Sequence, residues 1–271
     1  MQLSELQSLL QLAVDTAHKA GELIVTERQR HQLDYAYKGG IELVTEADQK
    51  ADALITSALQ QATPGFSILA EESENDLTKA ETPGLTLWVI DPIDGTVNYA
   101  HHHYQVGVSI ALAVDRQVQL GVVHNPFLQE TFTAIRGQGA FLNGESISAS
   151  ATTEMRRAIV ATGFPYHKDN HQQLTAEVGR ILQHCADIRR LGSAALDLCW
   201  VACGRLDAYY ENQLKPWDMA AGRLIAEEAG ARVGNYADDP GEHGELWGHK
   251  ILASSKSLYE PLRELLLDGA R

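Results

Sequence analysis

The stretch Leu87-Trp-Val-Ile-Asp-Pro-Ile-Asp-Gly-Thr-Val-Asn98 decides how the rest of this 271-residue chain is interpreted. Residues 87–90 form an apolar run of strand type, and two aspartates, Asp91 and Asp94, follow it directly. An isolated ionised carboxylate is costly to bury, and the stretch holds no Lys or Arg, so a bound cation is the simplest partner. Mg²⁺ suits this position because it takes oxygen ligands and binds through a few carboxylates plus substrate phosphate. We therefore expect a strand that ends at Asp91 and presents metal-binding carboxylates at a sheet edge.

The residues after Asp94 predict an anion site. Pro92 fixes one φ angle and Gly95 frees another, so the turn can aim the amides of Gly95 and Thr96 at one point. Backbone N–H groups that converge in this way bind phosphate or carboxylate, especially at a helix start. The competing interpretation is a plain turn, which Asp, Pro and Gly favour for local reasons alone.

The composition is that of an ordinary globular protein, with 44% hydrophobic and 21% charged residues. The formal net charge of −14 argues against general nucleic-acid or anionic-membrane binding, so an anionic substrate would need bound cations as a local positive centre. Residues 1–12 lack a basic n-region and a continuous apolar core, so no signal peptide is predicted, and no apolar run is long enough to span a bilayer. Three cysteines form no even disulfide framework, which favours a reduced, cytoplasmic compartment.

Helix and strand patterns mix along the chain. Apolar residues at helical spacing predict a long first helix over residues 6–24, and Thr45 is expected to cap a second helix. Alternating patterns predict two hairpins, over residues 105–124 and 130–142. The later segments are strands at 158–162, 188–190, 206–211 and 251–254, and helices at 170–184, 194–202, 217–228 and 258–267.

A polar stretch of small residues at 146–153 predicts a boundary between two subdomains. Residues 1–150 would form an N-terminal subdomain with most of the metal ligands. Residues 151–271 would form a C-terminal subdomain that completes the site.

Acidic residues recur at predicted strand ends and helix N-termini. Each alone has an ordinary interpretation as a solvated or helix-capping residue. A cluster of them without metal would repel itself and raise the pKa values of its members, so their convergence would indicate a metal site. The acids in question are Asp48, Glu71, Glu72, Asp91, Asp94, Glu211 and Asp218.

Several segments resemble the inositol monophosphatase family, in the order that the family has them. Residues 88–99, W-V-I-D-P-I-D-G-T-V-N-Y, resemble its first signature, and residues 217–222, W-D-M-A-A-G, resemble the second. Residues 44–48 and 71–73 resemble its upstream aspartate segment and acidic strand end, and residues 192–194 its sugar-contacting turn. These matches cover most of the chain.

The resemblance implies an α+β or α/β protein of two packed subdomains in a layered αβαβα sandwich, the sugar-phosphatase fold. It also implies Mg²⁺ dependence, inhibition by lithium and usually a homodimer. Glu71, Asp91 and the Ile93 carbonyl resemble the ligands of one Mg²⁺, and Asp91, Asp94 and Asp218 those of a second. The resemblance allows a weaker third ion near Glu71, held largely through water.

Phosphate monoesters hydrolyse very slowly unaided, and their hydrolysis needs charge neutralisation and an in-line nucleophile. We expect the metal held by Glu71 and the Thr96 hydroxyl to position a water, with Asp48 orienting Thr96 and taking the proton. Lys38 lies on a glycine-flanked loop and would add positive charge over the site when that loop closes, although a solvated lysine fits equally well. Glu72 is a second candidate for a loop residue that contributes to the site. Substrate contacts are expected from Asp94, Gly95, Thr96, Gly192, Ser193, Ala194, Glu211 and Asp218.

The predicted activity is hydrolysis of myo-inositol monophosphate or a similar small polyol phosphate. Fructose 1,6-bisphosphate, histidinol phosphate and 3′-phosphoadenosine nucleotides are alternative substrates on the same scaffold. A protein that binds a macromolecular partner is the alternative from a different class. The triplet 101–103 of histidines invites a zinc site, but adjacent residues of an extended chain point to opposite faces and no cysteine is near.

Overall fold

The computed structural model describes residues 1–29, 35–38, 42–73, 75–165, 171–237 and 244–267, with the backbone alone for 35–38 and 42–44. The helices in these ranges are α1 Leu3–Gln29, α2 Glu46–Ala62, α3 Thr78–Glu81, α4 Thr96–Ala100, α5 His171–Leu182, α6 Ala194–Ala202, α7 Pro216–Glu228 and α8 Tyr259–Leu267. Single 3₁₀ turns occur at Met155–Arg157 and Gly244–Leu246. The first strands are β1 Tyr35–Lys38, β2 Glu42–Thr45, β3 Ser67–Ala70, β4 Thr86–Asp94, β5 Gly107–Val114, β6 Gln117–Asn125 and β7 Glu130–Ile135. The remaining strands are β8 Ala140–Leu142, β9 Glu145–Ser146, β10 Ile159–Thr162, β11 Asp187–Arg189, β12 Ala208–Leu214, β13 Arg232–Asn235 and β14 Gly248–Ser254.

The strands form a large and a small sheet, together with a separate β1–β2 hairpin. The large sheet has seven strands in the order β3-β4-β5-β6-β7-β8-β9, with β3 and β4 parallel and the later neighbours antiparallel. The small sheet has five strands in the order β11-β10-β12-β14-β13, in which β10 runs parallel to both its neighbours.

Three hydrophobic clusters arrange these elements in five layers. The first lies between α1 and α2 and one face of the large sheet, and includes Ile24 and Ile90. The second contains α6 and α7 and lies between the two sheets, and the third packs α5 and α8 on the far face of the small sheet. Along β4, Trp88 and Ile90 belong to the first cluster, whereas Leu87 and Val89 belong to the second, as the two-residue period of a strand requires. The expected αβαβα sandwich is therefore confirmed.

Small residues bring α7 close to its neighbours. A Cβ atom on Gly121 of β6 would lie 2.9 Å from the Cα of Ala221, and one on Gly222 would lie 2.9 Å from the Cβ of Leu198 in α6. At the start of α7, the Ser109 hydroxyl of β5 donates a hydrogen bond to the Trp217 carbonyl at 3.2 Å. These contacts fix the N-terminus of α7 beside the large sheet.

The structure confirms most predicted elements, including α1, the Thr45-capped α2, both hairpins and the bounds of α6. The predicted C-terminal ends of two strands were wrong. β4 does not stop at Asp91 but continues to Asp94 with a shift in register, because Pro92 has no N–H to donate to β5. β12 passes through Glu211 and ends at Leu214, still paired with β14.

The strands of the large sheet lie within residues 67–146 and those of the small sheet within 159–254. The division of the chain at residue 150 agrees with this spacing and remains a prediction. Across the described ranges, no helix combines the length and the apolar composition needed to cross a bilayer.

Candidate active site

Asp48 and Thr96 form a buried hydrogen-bonded pair. Thr45 caps α2, and its N–H donates to Asp48 Oδ2 at 2.8 Å while its hydroxyl also bonds the same oxygen. This capping arrangement leaves Asp48 Oδ1 to accept from the Thr96 hydroxyl at 3.1 Å. Burial raises the pKa of Asp48 to about 6, although the hydrogen bonds from Thr45 oppose the shift. Asp48 is thus mostly ionised at neutral pH.

The end of β4 places Asp91 beside Glu71. The Ile93 N–H donates to Asp91 Oδ1 at 3.0 Å, and Ile93 O accepts from the Thr96 hydroxyl at 3.1 Å. Glu71 N donates to Ile90 O at 3.2 Å, which extends the β3–β4 pairing by one residue. The side chains of Glu71 and Asp91 share a hydrogen bond, and Glu71 raises the pKa of Asp91 beyond the larger effect of burial.

Asp94 connects β4 to the start of α6. Its Oδ2 atom accepts from the Ser193 hydroxyl at 2.5 Å and from Ala195 N at 2.7 Å. Burial raises the pKa of Asp94 to about 6, against the effect of these bonds and of the Arg190 charge. Ser193, which was expected to contact substrate, is itself buried and uses its hydroxyl on Asp94.

Asp218 brings a further carboxylate from α7. Its Oδ2 atom accepts from Lys215 N at 2.6 Å, which fixes it in the first turn of the helix. Burial raises the pKa of Asp218 well above its ordinary value, and the charge of Asp94 raises it further. Burial likewise raises the pKa of Asp91, with added repulsion from Glu71, Asp94 and Asp218 in that order.

The donor set at the end of β4 fits a hard cation. Its groups are carboxyl oxygens that repel one another in a buried place, and a positive charge would reverse that repulsion. Among the described residues, no three His, Cys, Asp or Glu side chains stand in a ready-made ion-binding arrangement. The fit therefore rests on the chemistry of the donors and on the hydrogen-bonded pair of Glu71 and Asp91.

Gly95 joins the two predicted substrate-binding turns. Its φ of 95° is in the left-handed region, and a Cβ atom there would lie 2.8 Å from Gln105 O and 3.1 Å from Gly192 O. Asn98 Nδ2 donates to Gln105 O at 2.8 Å and to Leu191 O at 2.7 Å. The turn at Gly95 and the turn at Gly192 are therefore held in direct contact.

Glu211 on β12 is influenced by the charge of Asp94. Burial raises the pKa of Glu211 to about 7, whereas a hydrogen bond with the Tyr209 hydroxyl and the charge of Arg190 lower it. The three groups Asp94, Asp218 and Glu211 influence one another electrostatically, so the structure brings the predicted site residues of both halves together.

Sequence reasoning missed several residues of this site. Asn98 lies within the quoted signature but received no role, and Tyr209 could have been found because it faces the same side of β12 as Glu211. Arg190 gave no signal, since its effect on Asp94 and Glu211 depends on the tertiary fold. Of the two loop candidates, Glu72 raises the pKa of Asp48 through its charge, a smaller effect than that of burial. The Lys38 side chain lies outside the described residues.

Comparisons with known proteins agree with the geometry. A family model described as the inositol monophosphatase family matches residues 5–267. Nus factor SuhB of Escherichia coli strain K12 is 37% identical over 270 residues, covering 97% of this chain and 98% of that protein. Inositol monophosphatase 2 of Solanum lycopersicum is 37% identical over 265 residues, covering 93% and 96%. The crystal structure of extragenic suppressor protein suhB from Bartonella henselae is 35% identical, with a TM-score of 0.86 over 96% of this chain and 98% of that one.

Proposed function

This chain belongs to the inositol monophosphatase family, and we propose that it is a Mg²⁺-dependent phosphomonoesterase acting on myo-inositol monophosphate or a similar small polyol phosphate. The observation that carries the proposal is the convergence of four buried or half-buried carboxyls from β4, from α7 and from the residue that follows β3: Asp91, Asp94, Asp218 and Glu71. Such a cluster is electrostatically unfavourable unless cations bind to it. The bound cations would also neutralise the negative charge of a substrate phosphate group.

The Mg²⁺ ions would be held by Glu71, Asp91, the Ile93 carbonyl, Asp94 and Asp218. When bound, they would supply charge neutralisation for the phosphate and a more acidic water. The same proposal includes two Mg²⁺ ions, a weaker third ion near Glu71, and inhibition by lithium. A homodimer is also proposed, and light scattering of the purified protein tests it.

Thr96 and Asp48 would handle the proton of the attacking water. The Thr96 hydroxyl donates to Asp48 or to Ile93 O, so its lone pairs can accept a hydrogen bond from a water and orient it. Asp48 is ionised at neutral pH and lies next to that hydroxyl, so it can take up the proton. Thr96 acts by orientation, because an aliphatic hydroxyl is too weak a base to do more.

The amides of Gly95 and Thr96 would hold the phosphate, at the start of α4. The polyol would lie toward Gly192–Ala194 and Glu211, where carboxyl and backbone groups can bond hydroxyls. Because Ser193 is committed to Asp94, we assign the polyol contacts chiefly to Glu211 and the backbone of this turn. Fructose 1,6-bisphosphate, histidinol phosphate and 3′-phosphoadenosine nucleotides remain alternative substrates.

A second candidate function is the binding of a macromolecular partner. The relative from Escherichia coli is named as a factor rather than as an enzyme, which supports this candidate and weakens the expectation that nucleic acid is not a partner. Every acid expected for metal binding and catalysis is present in the chain, and this favours the enzyme over the partner-binding protein.

A phosphate-release assay over these substrates, with and without Mg²⁺ and Li⁺, tests the proposal. Asp91→Asn should lower kcat by about a thousandfold or more, because it removes a charge shared by the whole cluster. Asp115→Asn, an equal change of charge on the exposed β5–β6 hairpin, is the control and should keep the wild-type rate. A near-normal rate for Asp91→Asn in saturating Mg²⁺ would contradict the proposal, and no release by the wild type from any substrate would favour partner binding.

A further inference from the structure

The side chain of Asn98 joins segments that are far apart along the chain. Asn98 is half-buried in α4, and its Nδ2 atom donates to Gln105 O at 2.8 Å and to Leu191 O at 2.7 Å. A side-chain amide has two donor hydrogens, so both are used on backbone carbonyls. Leu191 lies 93 positions after Asn98 and directly precedes Gly192. One side chain therefore ties α4 to the segment that leads into the second predicted substrate-binding turn.

The amide of Asn98 lies where the two substrate-binding turns meet. We call residues 95–96 the phosphate turn and residues 192–194 the polyol turn. A Cβ atom on Gly192 would lie 3.1 Å from Asn98 Nδ2 and 3.3 Å from its Oδ1, so the amide packs against the backbone of the polyol turn. A Cβ atom on Gly95 would lie 3.1 Å from Gly192 O. With the two turns this close, loss of the amide would leave a gap into which they can shift.

Asp94 provides another link between the turns, on the opposite side of Gly192 along the chain. It accepts from Ser193 and Ala195, whereas Asn98 donates to Leu191. Asp94 is also a proposed metal ligand, so its substitution would change metal binding and geometry together. Asn98 is uncharged and lies outside the groups proposed above to hold metal, phosphate or polyol. Its effect on the reaction should therefore act through the position of the polyol turn.

We propose that Asn98 is a positioning residue that sets the spacing between the phosphate turn and the polyol turn. The inference rests on the proposed phosphatase function and deepens it, because it says how the affinity for the polyol is controlled. A substrate that spans both turns binds fully only when their spacing matches the distance between its phosphate and its hydroxyl groups. Inorganic phosphate occupies the phosphate turn alone, so its binding does not depend on this spacing.

Asn98→Ala removes both hydrogen bonds, and steady-state kinetics with myo-inositol 1-phosphate tests its effect. KM should rise by roughly tenfold while kcat stays within about threefold of the wild-type value, because binding shared by the ground and transition states changes KM alone. The inhibition constant of inorganic phosphate and the Mg²⁺ concentration for half-maximal rate should stay within about twofold. A general loss of structure would instead change all four quantities.

Asn125→Ala is the matched control. Asn125 also donates from Nδ2 to a backbone carbonyl, that of Tyr104 at 2.8 Å, and its Oδ1 atom accepts from two backbone N–H groups at 3.0 Å. Its loss disturbs the segment next to Gln105 but leaves the bond to Leu191 in place. Asn125→Ala should therefore lower the melting temperature and leave KM unchanged.

The outcomes separate the role of Asn98 from the function itself. An unchanged KM in a folded Asn98→Ala enzyme would overturn the role, and so would an equal rise in KM and in the inhibition constant of phosphate. If the alanine variant does not fold, Asn98→Ser, which also removes the amide, is measured in its place. Failure of the wild type to release phosphate from any polyol phosphate would overturn the proposed function, whereas a variant that fails beside an active wild type concerns Asn98 alone.

Discussion

The carboxylate of Glu211 lies directly against the backbone of Gly163. A Cβ atom on Gly163 would be 1.8 Å from Glu211 Oε2, so any side chain at residue 163 must displace that carboxylate. Gly163→Ala should therefore lower kcat/KM for a polyol phosphate by roughly 10- to 100-fold, because a small misplacement of a substrate-contacting group is costly. The control is Gly179→Ala in α5, where a Cβ would meet nothing within 4 Å. Equal kinetics for the two variants would contradict the steric role of Gly163.

Removal of the hydroxyl of Thr96 should disable proton handling without disturbing the fold. Thr96→Val loses the bonds to Asp48 Oδ1 and Ile93 O, so kcat should fall by about 10²- to 10³-fold. Thr96→Ser keeps the hydroxyl and should retain most of the rate. Circular dichroism with steady-state kinetics checks both variants, and a valine enzyme as fast as the serine enzyme would exclude this role.

The acid limb of the pH–rate profile should report Asp48. Because the ionised form takes the proton, kcat/KM should fall as the pH drops through about 6. The hydrogen bonds of Thr45 lower the pKa of Asp48, so Thr45→Val, which removes the hydroxyl, should move this limb to higher pH. A limb that stays in place in the Thr45 variant would assign it to another group.

Mg²⁺ should stabilise the protein, and more so at higher pH. The folded-state pKa values of Asp91 and Asp218 lie above their ordinary value of 3.8, so without metal their contribution to stability is lost as pH rises above about 4. A cation bound to the ionised acids reverses this loss and adds about 2.7 kcal/mol at 100 times its Kd. Differential scanning fluorimetry with EDTA or Mg²⁺ at several pH values measures the effect. An equal Mg²⁺ shift in Asp91→Asn would argue against binding at this cluster.

His124 should make the fold sensitive to acid. Burial, with the neighbouring His18, lowers the pKa of His124 to about 4 from an ordinary 6.5. Its stabilising contribution is present above pH 6.5 and is lost as pH falls toward 4, by up to roughly 3 kcal/mol. His124→Gln should therefore lose less unfolding free energy than the wild type between pH 7 and pH 5. His184→Gln, at an exposed histidine, serves as the control in urea unfolding at both pH values.

The layers of this fold were predictable because local patterns decide them. Alternation along β4 and the 3.6-residue period of α1 follow from which faces are buried, and Thr45 caps α2 through a local hydrogen bond. Strand ends were harder to predict, since a carboxylate after an apolar run does not show whether pairing stops. Glu211 lies in the middle of β12 because β14 continues to supply partners, which the residues near Glu211 do not reveal.

The site was predictable in its acids and not in their partners. The acids of the signature have recognisable types and spacings, but the Asp94–Ser193 bond joins residues 99 positions apart. The same holds for the acid inside α6, because burial and then the charges of Glu211 and Asp94 raise the pKa of Asp197 only once the chain has folded. Long-range electrostatics depends on the tertiary fold, so no window of sequence contains it.

The distance along the chain between Asp94 and its donors also sets an order of events during synthesis. Asp94 emerges from the ribosome well before Ser193 and Ala195, which lie 99 and 101 residues later. Until α6 and α7 are made, the face of the large sheet that they cover stays exposed, and the aspartate at the end of β4 lacks its donors. A nascent chain that stops before residue 193 therefore exposes an aggregation-prone apolar surface with an unpaired acid at its edge. We expect chaperones to bind such a chain.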